Sequence, residues 1–406
     1  MTDIAYSQPA QQRRLPLPEF IAMLAFLFAT IAFSIDAMLP ALPDIAADLT
    51  PENVNRAQLI LTSFVAGMGL GTLFAGPLSD ALGRKRTITI GFGIYILATI
   101  AALYAHSLEF LLVARFVQGL GAAGPRIVGL ALVRDLYEGR EMARITSFVM
   151  MIFIMVPAVA PTLGAGIIAI SSWHGVFLAF IAFALIGGLW LNIRQFETLL
   201  PENRRPLRVT TLLAAAREVL ADRQVMLATV ILTLGFGQMF GLLSSAQQLF
   251  GETYGKGENF HLWFAAMALL SGSGTVLNAA FVIRFGMRRI AKWAYVMQTI
   301  VSAVILTLLL TGVLPQGLEF WAFFFWATSV FFMAGVTFGN LNALALQHMG
   351  HIAGMAASII AAISTLAAVL IAAPVGQLYN GTAIPAITAT LICSALAWAL
   401  MRGLKE

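Results

Sequence analysis

The chain has 406 residues, 60% of them hydrophobic and only 11% charged, with a formal net charge of +5. Soluble domains carry about a quarter charged residues, and a water-soluble fold of this length has no interior large enough for so much apolar side chain, which excludes an ordinary cytosolic enzyme. The same apolar content excludes disorder. One cysteine, Cys393, permits neither an internal disulfide nor a four-cysteine metal site. The basic charges are dispersed between apolar runs, which is the pattern of membrane-protein loops and not of a nucleic-acid surface.

A bilayer crossing needs roughly 20 apolar residues. On that ruler twelve spans are predicted, at 18–41, 56–79, 87–106, 109–133, 144–169, 174–193, 224–249, 262–283, 290–312, 319–343, 353–377 and 381–401, the sixth being the shortest. The runs are apolar throughout, unlike the alternating strands of a membrane barrel. Arg13-Arg14 before the first run resembles a secretory or twin-arginine signal. A cleaved signal has a shorter apolar core and a small-residue cut site, so the run reads as the first helix. With the N-terminus inside, the inner segments hold twenty Lys and Arg and the outer loops only Arg56 and Lys256, with Arg115 and Arg126 within a span. That bias predicts a multi-pass inner (cytoplasmic) membrane protein with both termini cytoplasmic. The outer loop 43–55 is acidic instead, through Asp44, Asp48 and Glu52.

The polar stretch 194–223 separates six spans from six. The expected organisation is a cytoplasmic tail at 1–17, a six-helix bundle at 18–193, a cytoplasmic linker at 194–223, a second six-helix bundle at 224–402 and a short cytoplasmic tail at 403–406. Within the linker Leu212, Leu213, Ala216, Val219 and Leu220 recur at helical spacing, predicting a helix that lies on the inner membrane surface or packs on the protein. Two loops repeat at an offset of 203: GPLSDALGRKR at 76–86 and AAFVIRFGMRR at 279–289. Gly83 aligns with Gly286, Lys85 with Arg288 and Arg86 with Arg289, whereas Asp80 aligns with Ile283, so the second copy lacks the acid. Two pseudo-symmetric halves of this kind are typical of transporters that rock around a midplane site.

These segments resemble the major facilitator superfamily, specifically its Bcr/CflA-type twelve-span drug/proton antiporters. GPLSDALGRKR is similar to the signature between spans two and three. LLVARFVQGLGAAG at 111–124 is similar to the span-four motif, with Arg115, Gln118 and Gly119 on matching positions. SIDAMLPALP at 34–43 resembles the first-span ending of the branch, and GHIAGMAAS at 350–358 its start of span eleven. PAVAPTLGAG at 157–166 resembles the span-five antiporter motif, departing from it at Ala160 and Ala165. The resemblance covers essentially the whole chain and implies an all-α integral membrane fold of twelve transmembrane helices in two pseudo-symmetric six-helix bundles. It also implies a part in proton coupling for Arg115, and a cytoplasmic gate in which Asp80 faces the N-terminus of span eleven while Arg84 and Asp135 complete a charge network. Gly76, Gly83, Lys85 and Arg86 belong to the same gate loop.

The residues themselves point the same way. Asp36 is the one acid well inside a predicted span, and intramembrane acids are functional by default. At 1.5 Å per residue, Asp36 and Arg115 each lie about 9 Å inside the outer ends of their spans, so an ion pair or water-bridged pair is expected. Arg126 lies about 20° around the helix from Arg115 and roughly 16 Å deeper, either to attract polar or anionic groups of a substrate or to snorkel towards the cytoplasm. Phe33, Gln118, Phe153, Gln238 and Met239 are candidate lining residues of an adaptable cavity. Pro157, Pro161 and Gly164 mark an antiporter hinge in span five, since proline kinks a helix and glycine permits close packing. Gly272 and Gly274 in span eight offer a small-residue surface for such packing. GLGAAG at 119–124 matches a dinucleotide fingerprint but sits midway along an apolar helix, so helix packing explains it. His348 and His351 share a helical turn without further ligands and read as span-end polarity, so no metal site is expected.

The expected function is proton-coupled efflux of small lipophilic compounds or drugs by alternating access, with Asp36 as proton carrier paired with Arg115. No cofactor is called for beyond the proton motive force. The partners are a small-molecule substrate, protons and the lipid bilayer, with no nucleic acid, and a monomer is expected. The alternative is an exporter or facilitator of a metabolite such as an amino acid. A membrane enzyme would need convergent catalytic groups at one depth, and Asp36 has no second embedded carboxylate. A receptor would carry a sizeable soluble domain, and the longest polar stretch is 194–223.

Overall fold

The computed structural model describes residues 15–315, 317–347 and 349–405; Arg13, Arg14 and His348 lie outside them. The described residues form helices and no strands. Hydrocarbon offers the backbone no hydrogen-bond partner, so a chain this apolar must close its N–H and C=O groups within each helix.

The first half holds α1 (Leu17–Asp36), α2 (Leu42–Leu49), α3 (Leu59–Leu82), α4 (Arg84–Leu103), α5 (Leu108–Leu136), α6 (Gly139–Ile170) and α7 (Trp173–Arg194). After the linker helix α8 (Val209–Ala221), the second holds α9 (Arg223–Gln248), α10 (Phe260–Phe285), α11 (Met287–Thr311), α12 (Glu319–Leu346), α13 (Ala353–Gln377) and α14 (Ile384–Leu400). Among the described residues, eleven segments are long and apolar enough to cross a bilayer. The shortest of the twelve is α14, with 17 residues, not the sixth span, whose helix α7 has 22. The acidic loop expected after the first span is mostly helical: α2 continues the line of α1 through a short turn at Leu39–Ala41.

The repeat is real in three dimensions. Gly83 and Gly286 occupy equivalent joints, α3 to α4 and α10 to α11, with φ of 103° and 82°. A side chain would be strained at either joint, and one at Gly83 would also collide with Glu197. The halves meet along α3 against α13 and α6 against α10. The α3–α13 contact is antiparallel and close, with Gly69 against Thr365 and Leu366, and Gly76 against Ser358. The linker helix packs on α9 and α13, burying Ala215 and Val219 while Leu213 and Leu220 face outward.

The glycines of 119–124 serve packing. A Cβ at Gly119 would stand 2.1 Å from the Phe64 carbonyl oxygen and one at Gly121 2.5 Å from that of Gly91, so α5 lies in backbone contact with α3 and α4. Gly274 presses on Phe332 of α12 rather than on span five, which corrects the packing expected of it.

Candidate functional site

The last turn of a helix leaves carbonyls without intrahelical partners, and at the end of α1 a side chain from α5 fills that need. Arg115 is wholly buried. Its Nη2 donates to the Ser34 carbonyl at 2.9 Å, its Nη1 donates to Gln118 Oε1, and its Nε points at the Ile60 carbonyl 3.5 Å away. The guanidinium lies 4.5 Å from the centroid of the Phe64 ring, a geometry that favours a cation. Gln118 Nε2 passes the network to Thr99 Oγ1 at 2.7 Å. Ser34 Oγ donates to the Thr30 carbonyl and stands 2.6 Å from Tyr95 Oη. Arg115 thus caps α1 with a charge of the sign the helix dipole prefers there and ties α1, α3 and α5 together. Ser34, Tyr95 and Thr99 were missed in the sequence; the signal available was a tyrosine and a threonine four apart inside an otherwise apolar run.

Asp36, the last residue of α1, is 5% exposed. Among the described residues it has no hydrogen-bond or ion-pair partner. The expected pair with Arg115 is therefore not formed in this structure: equal depth brings the two helices together, but the guanidinium directs its donors to backbone carbonyl and amide oxygens. Beside Asp36, α6 runs unbroken through Pro157 and Pro161 and meets α1 at Gly164, where a Cβ would stand 2.3 Å from the Ala37 carbonyl oxygen. The proline-marked segment and the embedded acid share one joint.

The cavity candidates divide. Phe33 meets Phe180 edge-to-face and stacks on Phe183, both of α7, at ring-centroid distances of 5.5 and 5.0 Å, inside the first bundle. Gln118 is consumed by the Arg115 network, and Gln238, 2% exposed, accepts from Ser394 Oγ at 2.8 Å and links α9 to α14. All three are buried in this structure within their own half, although Gln238 Nε2 is left without a hydrogen-bond partner among the described residues. Arg126 and Phe153 do come together, the guanidinium 5.8 Å from the ring centroid. Arg126 is half-buried and, among the described residues, makes no hydrogen bond or ion pair. Met239 is half-buried against the core.

At the cation-rich end, Asp80, Arg84 and Asp135 converge. Arg84 bridges Asp80 and Asp135, the latter at 3.0 Å, and its Nη1 also donates to Ser79 Oγ at 2.7 Å. Glu197 and Thr198, both missed in the sequence, complete the cluster. Glu197 accepts from the Arg84 and Lys85 backbone N–H groups at 2.8 and 3.1 Å, and Thr198 Oγ1 donates to Asp135 at 2.7 Å. A carboxylate at a helix N-terminus is favourable, and only folding brings the linker to α4. Lys85 Nζ donates to the Asn192 carbonyl, and Arg86 is exposed. Asp80 and the first residues of α13 line one cleft of about 550 Å³, and among the described residues no hydrogen bond joins them.

The opposite end is joined by amides. Asn55 donates to the Tyr379 carbonyl at 2.8 Å, Gln377 donates back to the Asn55 carbonyl at 2.8 Å, and Gln248 donates to Asn55 Oδ1 at 3.0 Å. Gln58 bonds Gln248 and accepts from Ser245. These bonds cross from one half to the other, so the two halves are clamped at this end. Four amides at span boundaries were the signal in the sequence, but nothing there pairs them. His351 bonds Glu218 at 2.7 Å, and no metal-binding cluster of three or more residues exists among the described residues.

The profile of the Major Facilitator Superfamily matches residues 23–372. Among curated relatives, the uncharacterized MFS-type transporter YdgK of Bacillus subtilis is 30% identical, covering 93% of this chain and 92% of that protein. The bicyclomycin resistance protein homolog of Haemophilus influenzae is 29% identical, covering 95% and 97%. Among solved structures, a D-xylose-proton symporter superposes with a TM-score of 0.74 at 15% identity, covering 95% of this chain and 98% of that one, a likeness of fold alone. The chain therefore belongs to the major facilitator superfamily of transporters, within which its resemblance to the Bcr/CflA-type drug-resistance proteins extends over nearly its full length.

Proposed function

We propose that the chain exports small lipophilic compounds in exchange for protons by alternating access, as a monomer in the bacterial inner membrane with both termini cytoplasmic. The observation that carries this reading is Asp36: a buried acid without a bonding partner among the described residues, at the joint where Gly164 brings α6 against the end of α1. A carboxyl in that position can gain or lose a proton without an ion pair having to break. The change of charge falls where the two helices touch, so it can bias how they sit. Each charge moved down the field releases about 2.3 kcal/mol per 100 mV, which is the driving force for export. Arg115 holds α1 in place through its last turn in the state seen here, and the Asp80–Arg84–Asp135 cluster with the cleft beside α13 supports a gate at the cytoplasmic end. The drug cargo is supported by the name of the bicyclomycin resistance homolog.

In proteoliposomes loaded with a pH-sensitive dye, addition of a transported drug to the wild type should trigger proton flux. Asp36→Asn should abolish that flux while the protein inserts and elutes as the wild type does. Undiminished proton-coupled transport by this variant rejects Asp36 as the carrier. The second reading, export of a metabolite such as an amino acid, is favoured by Arg126, whose unpaired guanidinium beside Phe153 suits a carboxylate. A panel of amino acids beside a panel of drugs in the same assay separates the two.

A further inference from the structure

The two copies of the repeated loop treat their cations differently. After Gly83 the charges are matched: Arg84 lies between Asp80 and Asp135, and Glu197 receives the backbone N–H groups. After Gly286 they are not. Ile283 stands where Asp80 stood and is 95% exposed, and among the described residues none of Arg288, Arg289, Lys292 and Arg402 joins an ion pair. These four cations surround one pocket of about 560 Å³ together with Trp293 and Trp398. Arg288 Nη2 reaches the Met401 and Arg402 carbonyls at 3.5 Å while its Nε is buried without a hydrogen-bond partner, and Arg402 lies over the Trp398 ring at 5.3 Å. A bias of cations towards one membrane face explains their number. It does not explain why four converge on a concave site from two distant segments with no acid among the described residues lining it, where a bound anion would relieve their mutual repulsion.

A second cavity of about 660 Å³ adjoins the first, and Arg289 and Trp293 line both. It exists because α10 and α11 touch only briefly, leaving a trough closed at the back by α12. Its walls are apolar, among them Leu277, Phe281, Met297, Phe332 and Val336. From Arg289 to Val301 the trough follows α11 for about 18 Å at the helical rise, close to the roughly 15 Å of one leaflet of a 30 Å hydrocarbon core. A trough one leaflet long, ending in a cationic cup flanked by tryptophans, has the shape and charge of a phospholipid's complement. We propose that this is a binding site for an anionic phospholipid of the surrounding bilayer, its phosphate in the cup and an acyl chain along the trough. Basic pockets between transmembrane helices hold anionic headgroups in this way, and tryptophan is at home at that depth.

The test uses the full chain purified in detergent and native mass spectrometry with added phosphatidylglycerol, phosphatidylcholine or inorganic phosphate. Phosphatidylglycerol should be retained in preference to phosphatidylcholine. A variant combining R289Q, K292Q and R402Q should bind it roughly a hundredfold less tightly, at about fivefold per cation. Ala294→Trp, which fills the trough and leaves the cup intact, should also weaken retention. Equal retention of phosphatidylcholine by the wild type, or unchanged retention by the triple variant, overturns the proposal. Displacement of the lipid by millimolar inorganic phosphate assigns the cup to a free ion and overturns it as well. Photo-crosslinking of the wild type with diazirine-tailed phosphatidylglycerol needs no variant to fold: labelling should concentrate in residues 277–301 and 329–336, and labelling spread evenly over both halves refutes the site.

Discussion

Gly164 and Gly166 lie two residues apart in the same motif of α6, yet the structure gives them opposite surroundings, which makes them a matched pair. At Gly164 a Cβ would stand 2.3 Å from the Ala37 carbonyl oxygen, against the 3.4 Å at which ordinary contact begins, so Gly164→Ala must part α6 from the end of α1 by about 1 Å. The obstacle is backbone and cannot rotate away. Overpacking of this kind costs about 1–3 kcal/mol, offset by up to about 1 kcal/mol because alanine favours a helix over glycine. With the full offset the net reaches about 2 kcal/mol, which displaces the state described here by up to roughly thirtyfold. At Gly166 nothing lies within 4 Å, so Gly166→Ala keeps only the helix gain of about 0.5–1 kcal/mol. Spin labels at the exposed residues Glu52 and Asn380, on opposite sides of the amide clamp, report the balance through their distance distribution. Gly164→Ala should raise the longer-distance population and lower substrate-triggered proton flux, while Gly166→Ala matches the wild type. Indistinguishable behaviour of the two variants would refute the idea that the α1–α6 contact at Ala37 sets the conformational balance.

Arg115→Lys keeps the charge but not the fork that reaches Ser34 and Gln118 together. One interhelical bond, to Ser34, is lost at about 0.6 kcal/mol, at most about 1.7; thermal unfolding in detergent should show a lower midpoint, and an unchanged one would remove Arg115 as the cap of α1. Gln58→Ala deletes the bonds to Gln248 and Ser245 across the clamp, and by the same magnitudes should raise the open population about threefold or more. A cysteine introduced by Thr365→Cys, 9% exposed in the wild type against α3, should then label faster with a membrane-impermeant maleimide, over a low background from the buried Cys393. Labelling no faster than in the parent would show that the amides do not hold that end shut.

Much of the architecture was legible in one dimension. Hydropathy is a local sum, and lipid forces any sufficiently apolar run into a helix, so the twelve spans and the linker helix could be read without knowing what touches what. The repeat was visible because Gly83 and Gly286 meet the same backbone demand, a positive φ at a helix joint. Asp36 stood out because a lone acid in an apolar run is costly wherever the run is placed. The partners of these groups were not legible, since they depend on how each helix is rotated and which neighbour it meets. Arg115 takes a main-chain carbonyl at the end of α1, an acceptor that every residue carries and no sequence pattern marks. The sequence could not say what Phe33 and Gln118 touch, and helix rotation buries both inside the first bundle in this state. Asn55, Gln58, Gln248 and Gln377 are separated by up to 322 residues, and only the close antiparallel fit of α3 on α13 beside α9 brings them into one clamp. The cationic cup likewise joins the start of α11 to the end of α14. Composition fixes what each segment must be in a membrane; the meeting of faces fixes which polar atoms find one another, and that is where the chemistry of this protein is decided.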